Sequence, residues 1–235
     1  MHQFSETPAS APRAKPSVDT IYQRILTAII EHRLPPGTKL GEERIAKAFG
    51  VSRTQIRQVI ERLSHYNIVT TQPNRCAFVS SPTVEEAREV FAARQLIEPD
   101  LIRQAIRRAK AADVRRLREH VQKEQDARTA DDKRAVIRLS GEFHQLIAEI
   151  AGNRYLAKTM RELETLTCLV IILYDAPNMP ACPYHEHSDL VNLIEARDEK
   201  RAASFMVEHL RHVEESLNFG GERDNEIDFE SIFAD

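Results

Sequence analysis

Apolar residues recur at every third or fourth position along most of the chain, which predicts helices. Val18, Ile21, Tyr22, Ile25 and Ile29 keep that spacing behind Ser17, a possible N-cap, and the pattern stops at Leu34-Pro35-Pro36-Gly37. A second, shorter helix is predicted over about 42–49 and is ended by Gly50. Ser52 then opens a third, with Gln55 three residues on, so that hydroxyl and amide can satisfy orphan donors of the first turn. Two helices joined by a tight glycine turn have the outline of a helix-turn-helix. After them the period changes to two. Ile68-Val-Thr-Thr71 and Ala77-Phe-Val79 flank Gln72-Pro-Asn-Arg75-Cys76 and predict a hairpin with a basic tip, a wing beside the helices.

From Thr83 onward the helical period returns and predicts six helices, over about 83–109, 111–128, 131–151, 153–175, 184–197 and 199–218. Gly152-Asn153 reads as a helix stop followed by a new N-cap, and residues 177–183 as a proline-rich connection. The fold class is mainly α: a winged helix-turn-helix over 17–80, then an all-helical bundle over 83–219. Residues 1–16 are expected to be a disordered lead-in, and 220–235 an acidic tail.

Composition supports this division. Glycine is scarce, with 7 in 235 residues and none between Val51 and Ser140, and no proline falls between Asp100 and Ala176. The formal net charge of -3 hides an asymmetry: residues 1–80 carry a net +5 and the rest a net -8. A basic front suggests work on a polyanion. The longest apolar run, residues 166–174, is far short of a membrane span. Three scattered cysteines, Cys76, Cys168 and Cys182, disfavour a disulfide framework, and the expected compartment is the cytoplasm.

Candidate chemistry lies in both halves. In the third helix Ile56, Val59, Ile60 and Leu63 must face the core, leaving Arg53, Thr54, Arg57 and Gln58 on the other faces near its start. A recognition helix presents that turn to the major groove, where Arg can bond guanine bidentately. Arg44, Lys47 and Arg62 add to the basic character, and Arg75 at the hairpin tip can reach a phosphate or the minor groove. The plain alternative is a solvated basic face on an interaction module.

In the bundle, Arg94 falls inside the stripe Ala87, Val90, Phe91, Ile97, Leu101. A guanidinium on a core face needs an anion, either Glu98 one turn on or a bound carboxylate. His144, His187 and His209 each adjoin an apolar stripe, on three different helices. One such histidine is usually a core residue; three allow a metal, since imidazole is the commonest metal ligand. Glu142, two residues from His144, points away from it. Cys182, His185 and His212 are weaker candidates, because only His187 in that run has an independent reason to face inward.

Pro36-Gly37-Thr38-Lys39-Leu40, Ile45-Ala46, Gly50-Val51-Ser52-Arg53-Thr54-Gln55-Ile56-Arg57, Glu61-Arg62-Leu63 and Asn74-Arg75 resemble the winged-helix domain of the GntR superfamily of bacterial transcription regulators. The resemblance implies operator contacts from Ser52, Arg53, Thr54 and Arg57, with Arg75 on the wing and a basic residue, here Arg44, on the second helix. Departures are Gln55 for a common proline, Asn67 and Cys76 for common glycines, and the acid of Glu42-Glu43-Arg44 at the usual basic place. Arg94-x-x-Ile97-Glu98, Phe143-His144, Gly152-Asn153, Glu186-His187 and His209-Leu210 resemble the FCD effector-binding domain of the same regulators.

That domain implies three histidines and an Asp around a divalent metal such as Zn, Ni or Mn, with Arg94 holding a small carboxylate effector. Ser140 stands at the Asp position, a poor ligand that leaves a more positive site. Two arrangements stay open: a three-histidine metal completed by water or effector, or a metal-free pocket of Arg94, Ser140, His144, His187 and His209 that bonds the ligand directly. The expected protein is a homodimeric, effector-responsive repressor on a pseudo-palindromic operator, with no membrane partner. The rival is a hydrolytic enzyme using the three-histidine metal, for which no general base is visible.

Overall fold

A computed structural model describes residues 15–72, 76–174 and 185–220. The chain forms two compact units, one holding residues 33–80 and those up to Ile29, the other holding Ile30–His32 and everything from Ser81. The expected lead-in up to residue 14, the Arg75 tip, the proline-rich connection with Cys182, and the tail from 221 lie outside the described residues.

In the first unit, α1 (Val18–Ile30), α2 (Glu42–Phe49) and α3 (Arg53–His65) accompany a small sheet of β1 (Lys39–Leu40), β2 (Val69–Gln72) and β3 (Cys76–Val79). Gly50 ends α2 at a φ of 66°, a left-handed geometry that glycine adopts freely. The capping box forms: Ser52 accepts from the Gln55 backbone while the Gln55 side chain accepts from the Ser52 backbone. Ile56, Val59, Ile60 and Leu63 are buried, as their spacing requires. β2 and β3 pair antiparallel, with Thr70 opposite Phe78. Asn67, at the turn before β2, has a φ of 55°, the left-handed conformation that asparagine tolerates in place of glycine. The strand β1 was not predicted; it pairs Lys39 with Phe78 and completes the sheet in the order β1-β3-β2. Two residues are too few to show an alternation.

The second unit consists of α4 (Val84–Arg108), α5 (Ala111–Thr129), α6 (Lys133–Ala151), α7 (Arg154–Tyr174), α8 (Glu186–Glu195) and α9 (Glu199–Glu215). All six predicted helices are present, with ends within a few residues. Thr83 and Glu86 form a second capping box at the start of α4. Gly152 ends α6 at a φ of 73°, a left-handed geometry that favours glycine, and the Arg108 guanidinium lies over the space a Cβ would take. The core gathers Ile102, Leu117, Phe143, Met160, Leu190 and Leu210 from all six helices. Helix α4 packs against α6, α7, α8 and α9, which brings the polar residues of its inner face to the middle of the bundle.

Candidate functional site

On the head, Arg53, Thr54, Arg57 and Gln58 are exposed on one end of α3, and Arg44 is exposed on α2. The Ser52 hydroxyl serves the cap, lying 3.3 Å from the Gln55 nitrogen it accepts from. Arg57 donates from Nε and Nη2 to the two oxygens of Glu42, at 3.2 and 2.9 Å, and Arg53 lies 3.6 Å from the same carboxylate. The hydrogen bond from Arg57 holds the Glu42 carboxyl below its ordinary pKa. The Glu42 carboxylate therefore orients the Arg57 guanidinium on the exposed end of α3. Arg62 takes a different part. It bonds Asp19 at 2.6 Å and lies over the Tyr22 ring at 4.0 Å, so it fastens α3 to α1 rather than adding to the basic face.

In the bundle, His144 on α6, His187 on α8 and His209 on α9 converge, each at most 4% exposed. His209 Nε2 lies 3.3 Å from both His187 Nε2 and His144 Nε2. Each ring turns its other nitrogen to a carboxylate: His144 Nδ1 to Glu98 at 2.5 Å, His187 Nδ1 to Glu124 at 2.7 Å, and His209 Nδ1 to Glu186 at 2.6 Å. Phe143 stacks on His187 with centroids 4.2 Å apart. Burial lowers the pKa of His144 to about 3 and of His209 to about 4, so both are neutral at physiological pH. Burial would raise the Glu98 carboxyl, but Arg94 and His144 bring it to about 2.

These protonation states test whether a metal fits. A neutral imidazole that donates from Nδ1 to a carboxylate has a bare lone pair on Nε2. With His144 and His209 neutral and donating from Nδ1, their Nε2 lone pairs turn toward each other and toward His187 Nε2, which favours a cation at their centre. Three histidines oriented by outer carboxylates form a donor set suited to a divalent transition metal. Ser140 still supplies one carboxylate fewer than an Asp would, while Glu98, Glu124 and Glu186, all buried, stand directly behind the histidines.

Arg94 is 3% exposed and bonds Glu98 from Nε at 2.6 Å and Thr167 from Nη1 at 3.1 Å. The internal salt bridge therefore forms, while Arg94 Nη2 stays buried without a partner. Ser140, His144, His209 and Arg94 line one small cavity, with Glu164 and Thr167 from α7. Glu142 is exposed and bonds Arg138, as its position two residues from His144 implied. His212 bonds the other oxygen of Glu186 at 2.6 Å, and His185 is exposed. Sequence reasoning missed Glu124 and Glu164. Each lies on the buried side of its helix, Glu124 a turn beyond His120 and Glu164 between Met160 and Cys168, and an acid at such a position was the available signal.

The histidines make acid stability a measurable property of chelator-treated protein. Their folded pKa values lie below the ordinary 6.5, so the unfolded chain binds these protons first. Stability is then complete above about pH 6.5 and is lost as pH falls toward the folded values, by about 4 kcal/mol for the two histidines at pH 5. Urea unfolding between pH 7.5 and 5 measures this. An unchanged midpoint would exclude neutral, buried histidines.

A winged helix followed by a helical bundle with a buried polar centre defines a two-part DNA-binding regulator. The gntR family model of bacterial regulatory proteins matches residues 17–79, and the FCD domain model matches residues 89–212. The chain belongs to the GntR family of transcription regulators and carries its FCD domain, so the enzyme reading is set aside. It is similar to the transcriptional repressor RspR of Escherichia coli K12, with 24% identity over 86% of this chain and 90% of the relative. Solved structures with the same fold include E. coli McbR/YncC, at a TM-score of 0.74 and 18% identity over 83% of this chain and 93% of the other. A GntR regulator of Rhodococcus sp. RHA1 has a TM-score of 0.73 and 22% identity, over 84% and 95%. Among the described residues no helix is long and apolar enough to cross a membrane.

Proposed function

We propose that the chain is a homodimeric repressor whose hold on a pseudo-palindromic operator is set by a divalent metal on His144, His187 and His209 and by a small carboxylate effector. The observation that carries the sensor half is the convergence of three Nε2 atoms, each ring anchored from behind by an acid. Arg53, Thr54 and Arg57 read base edges, Arg44 and Arg75 meet the phosphates, and Ser52 holds the start of the reading helix in shape. Repression accords with the name of the relative RspR.

When bound, the metal supplies a Lewis-acidic centre that an effector oxygen can join, with Zn, Ni and Mn as candidate ions. Arg94 offers its spare Nη2 to the same ligand. The cavity beside the histidines measures only about 20 Å³, room for roughly one water, so a metabolite enters only if lining side chains move. That movement is the means by which occupancy is felt, by favouring one arrangement of the dimer over another.

Metal analysis of protein purified without chelators tests the reading, with close to one equivalent expected per chain. Less than about a tenth of an equivalent would favour the metal-free pocket. A thermal-shift screen of small carboxylates, with and without added metal, then identifies the effector: a ligand that binds the folded state raises the midpoint by mass action. Shifts confined to neutral heterocycles would remove the carboxylate from the proposal.

A further inference from the structure

The position one turn before His144, where the family resemblance places an Asp ligand, holds the neutral Ser140. Across the cavity from it, α7 contributes Glu164, which is 6% exposed and whose Oε1 is buried without a partner. Both residues line the space next to His144 and His209. We propose that Glu164 takes over the role of the missing Asp, anchoring a metal on the three histidines through a water held in this cavity. The proposal rests on the reading of the histidines as a metal site.

Four observations carry it. First, among the described residues the ligand atoms within 4.8 Å of one another are those of the three histidines, and Glu164 shares a cavity with two of them without joining that set, so the role left to it is an indirect one. Second, the cavity of about 20 Å³ suits one water and little more. Third, a water there finds complementary partners. Arg94 Nη2, buried and unpartnered, donates to it, and Glu164 Oε1 accepts from it, leaving its second lone pair for the cation. Fourth, Glu164 continues the buried stripe of Met160, Cys168 and Ile171, so its inward direction is fixed by the packing of α7.

The local charges agree with this assignment. Burial raises the Glu164 carboxyl well above its ordinary range, opposed by Arg94 and reinforced by Glu98. A divalent cation beside it reverses that balance and favours the carboxylate. Without such a cation, only the charges of Arg94 and Arg161 offset the cost of burying this acid.

The test is Zn²⁺ affinity of the full chain, read by competition with a chromophoric chelator. Glu164→Gln should weaken binding about 10- to 100-fold, and adding Ser140→Asp to that variant should bring it back to within about threefold of the unsubstituted protein. In chelator the Gln variant should melt at or above the unsubstituted protein, because a neutral amide is easier to bury than an acid. An affinity within about twofold of the unsubstituted protein, or a loss that Ser140→Asp does not restore, overturns the proposal. If the Gln variant does not fold, Glu164→Asp replaces it, with a loss and a rescue expected in the same order. His209→Ala separates the two levels. Zn²⁺ binding that His209→Ala removes and Glu164→Gln leaves intact sinks the role of Glu164 alone, whereas no Zn²⁺ binding by the unsubstituted protein sinks the metal reading with it.

Discussion

Arg57→Ala is expected to abolish specific operator recognition while leaving Zn²⁺ affinity unchanged. Arg57 is exposed near the start of α3, and its Nε and Nη2 are held side by side on the Glu42 carboxylate. A guanidinium fixed by an acid behind it is already oriented, so less rotamer entropy is lost when it meets a base. One bidentate Arg contact to guanine discriminates by about 1–3 kcal/mol, and the proposed dimer would make the contact twice, so the specific-to-random ratio should fall by about 30-fold to 10⁴-fold. A second effect compounds the first. With Arg57 gone, Glu42 faces the phosphates with only Arg53 nearby, and repulsion lowers affinity for every sequence. The double variant Arg57→Ala with Glu42→Gln separates the two, since it should recover general DNA affinity but not discrimination. Fluorescence anisotropy with operator and scrambled duplexes at one fixed salt concentration measures both. A ratio retained by Arg57→Ala would remove this residue from base reading.

The contrast between Glu42 and Glu124 shows what a sequence discloses and what it does not. The head was legible because its signals are local: the glycine turn, the Ser52-Gln55 cap and the apolar spacing of α3 all act within a few residues. The pairing of Glu42 with Arg57 spans 15 residues and depends on how α2 meets α3, which no local rule fixes. The bundle repeats the lesson over longer distances. Three histidines on three apolar stripes point to a common centre, and His144, His187 and His209 do meet there. Their carboxylate partners were hidden because the pairs lie 46, 63 and 23 residues apart, so helix register and rotation decide which acid stands behind which ring. Charge counting could not separate Glu124 and Glu164 from the solvated acids of a net-acidic half. Only their places on buried faces distinguish them.

Arg94→Ala should cost the bundle as much stability as truncating a large buried core side chain. The sequence left Arg94 between an effector carboxylate and Glu98; in the structure Glu98 takes Nε, Thr167 takes Nη1, and Nη2 is buried without a partner. Both members of the Arg94–Glu98 pair are 3% exposed, so removing the guanidinium strands a buried carboxylate, at a cost of about 3–5 kcal/mol. The pH dependence identifies the cause. With Arg94 present, Glu98 has a folded pKa of about 2, below its ordinary 4.5, so its contribution is complete above 4.5 and is lost as pH falls through about 2. Without Arg94, burial pushes the carboxyl upward and the sign reverses: acidification protonates Glu98 in the folded variant and removes the penalty. The gap in unfolding free energy between the unsubstituted protein and the variant should therefore narrow as pH is lowered from 7 to 5, as measured by urea unfolding in chelator. Arg94→Met with Glu98→Gln should restore most of the stability, because the amide oxygen can still accept from His144 Nδ1 while neither buried charge remains. That double variant keeps the fold and removes the Nη2 donor, and Zn²⁺ affinity measured alongside separates the change behind His144 from the loss of a donor toward an effector. A loss of less than about 1 kcal/mol in Arg94→Ala would mean that water reaches Glu98 and that the pair is not shut off from solvent.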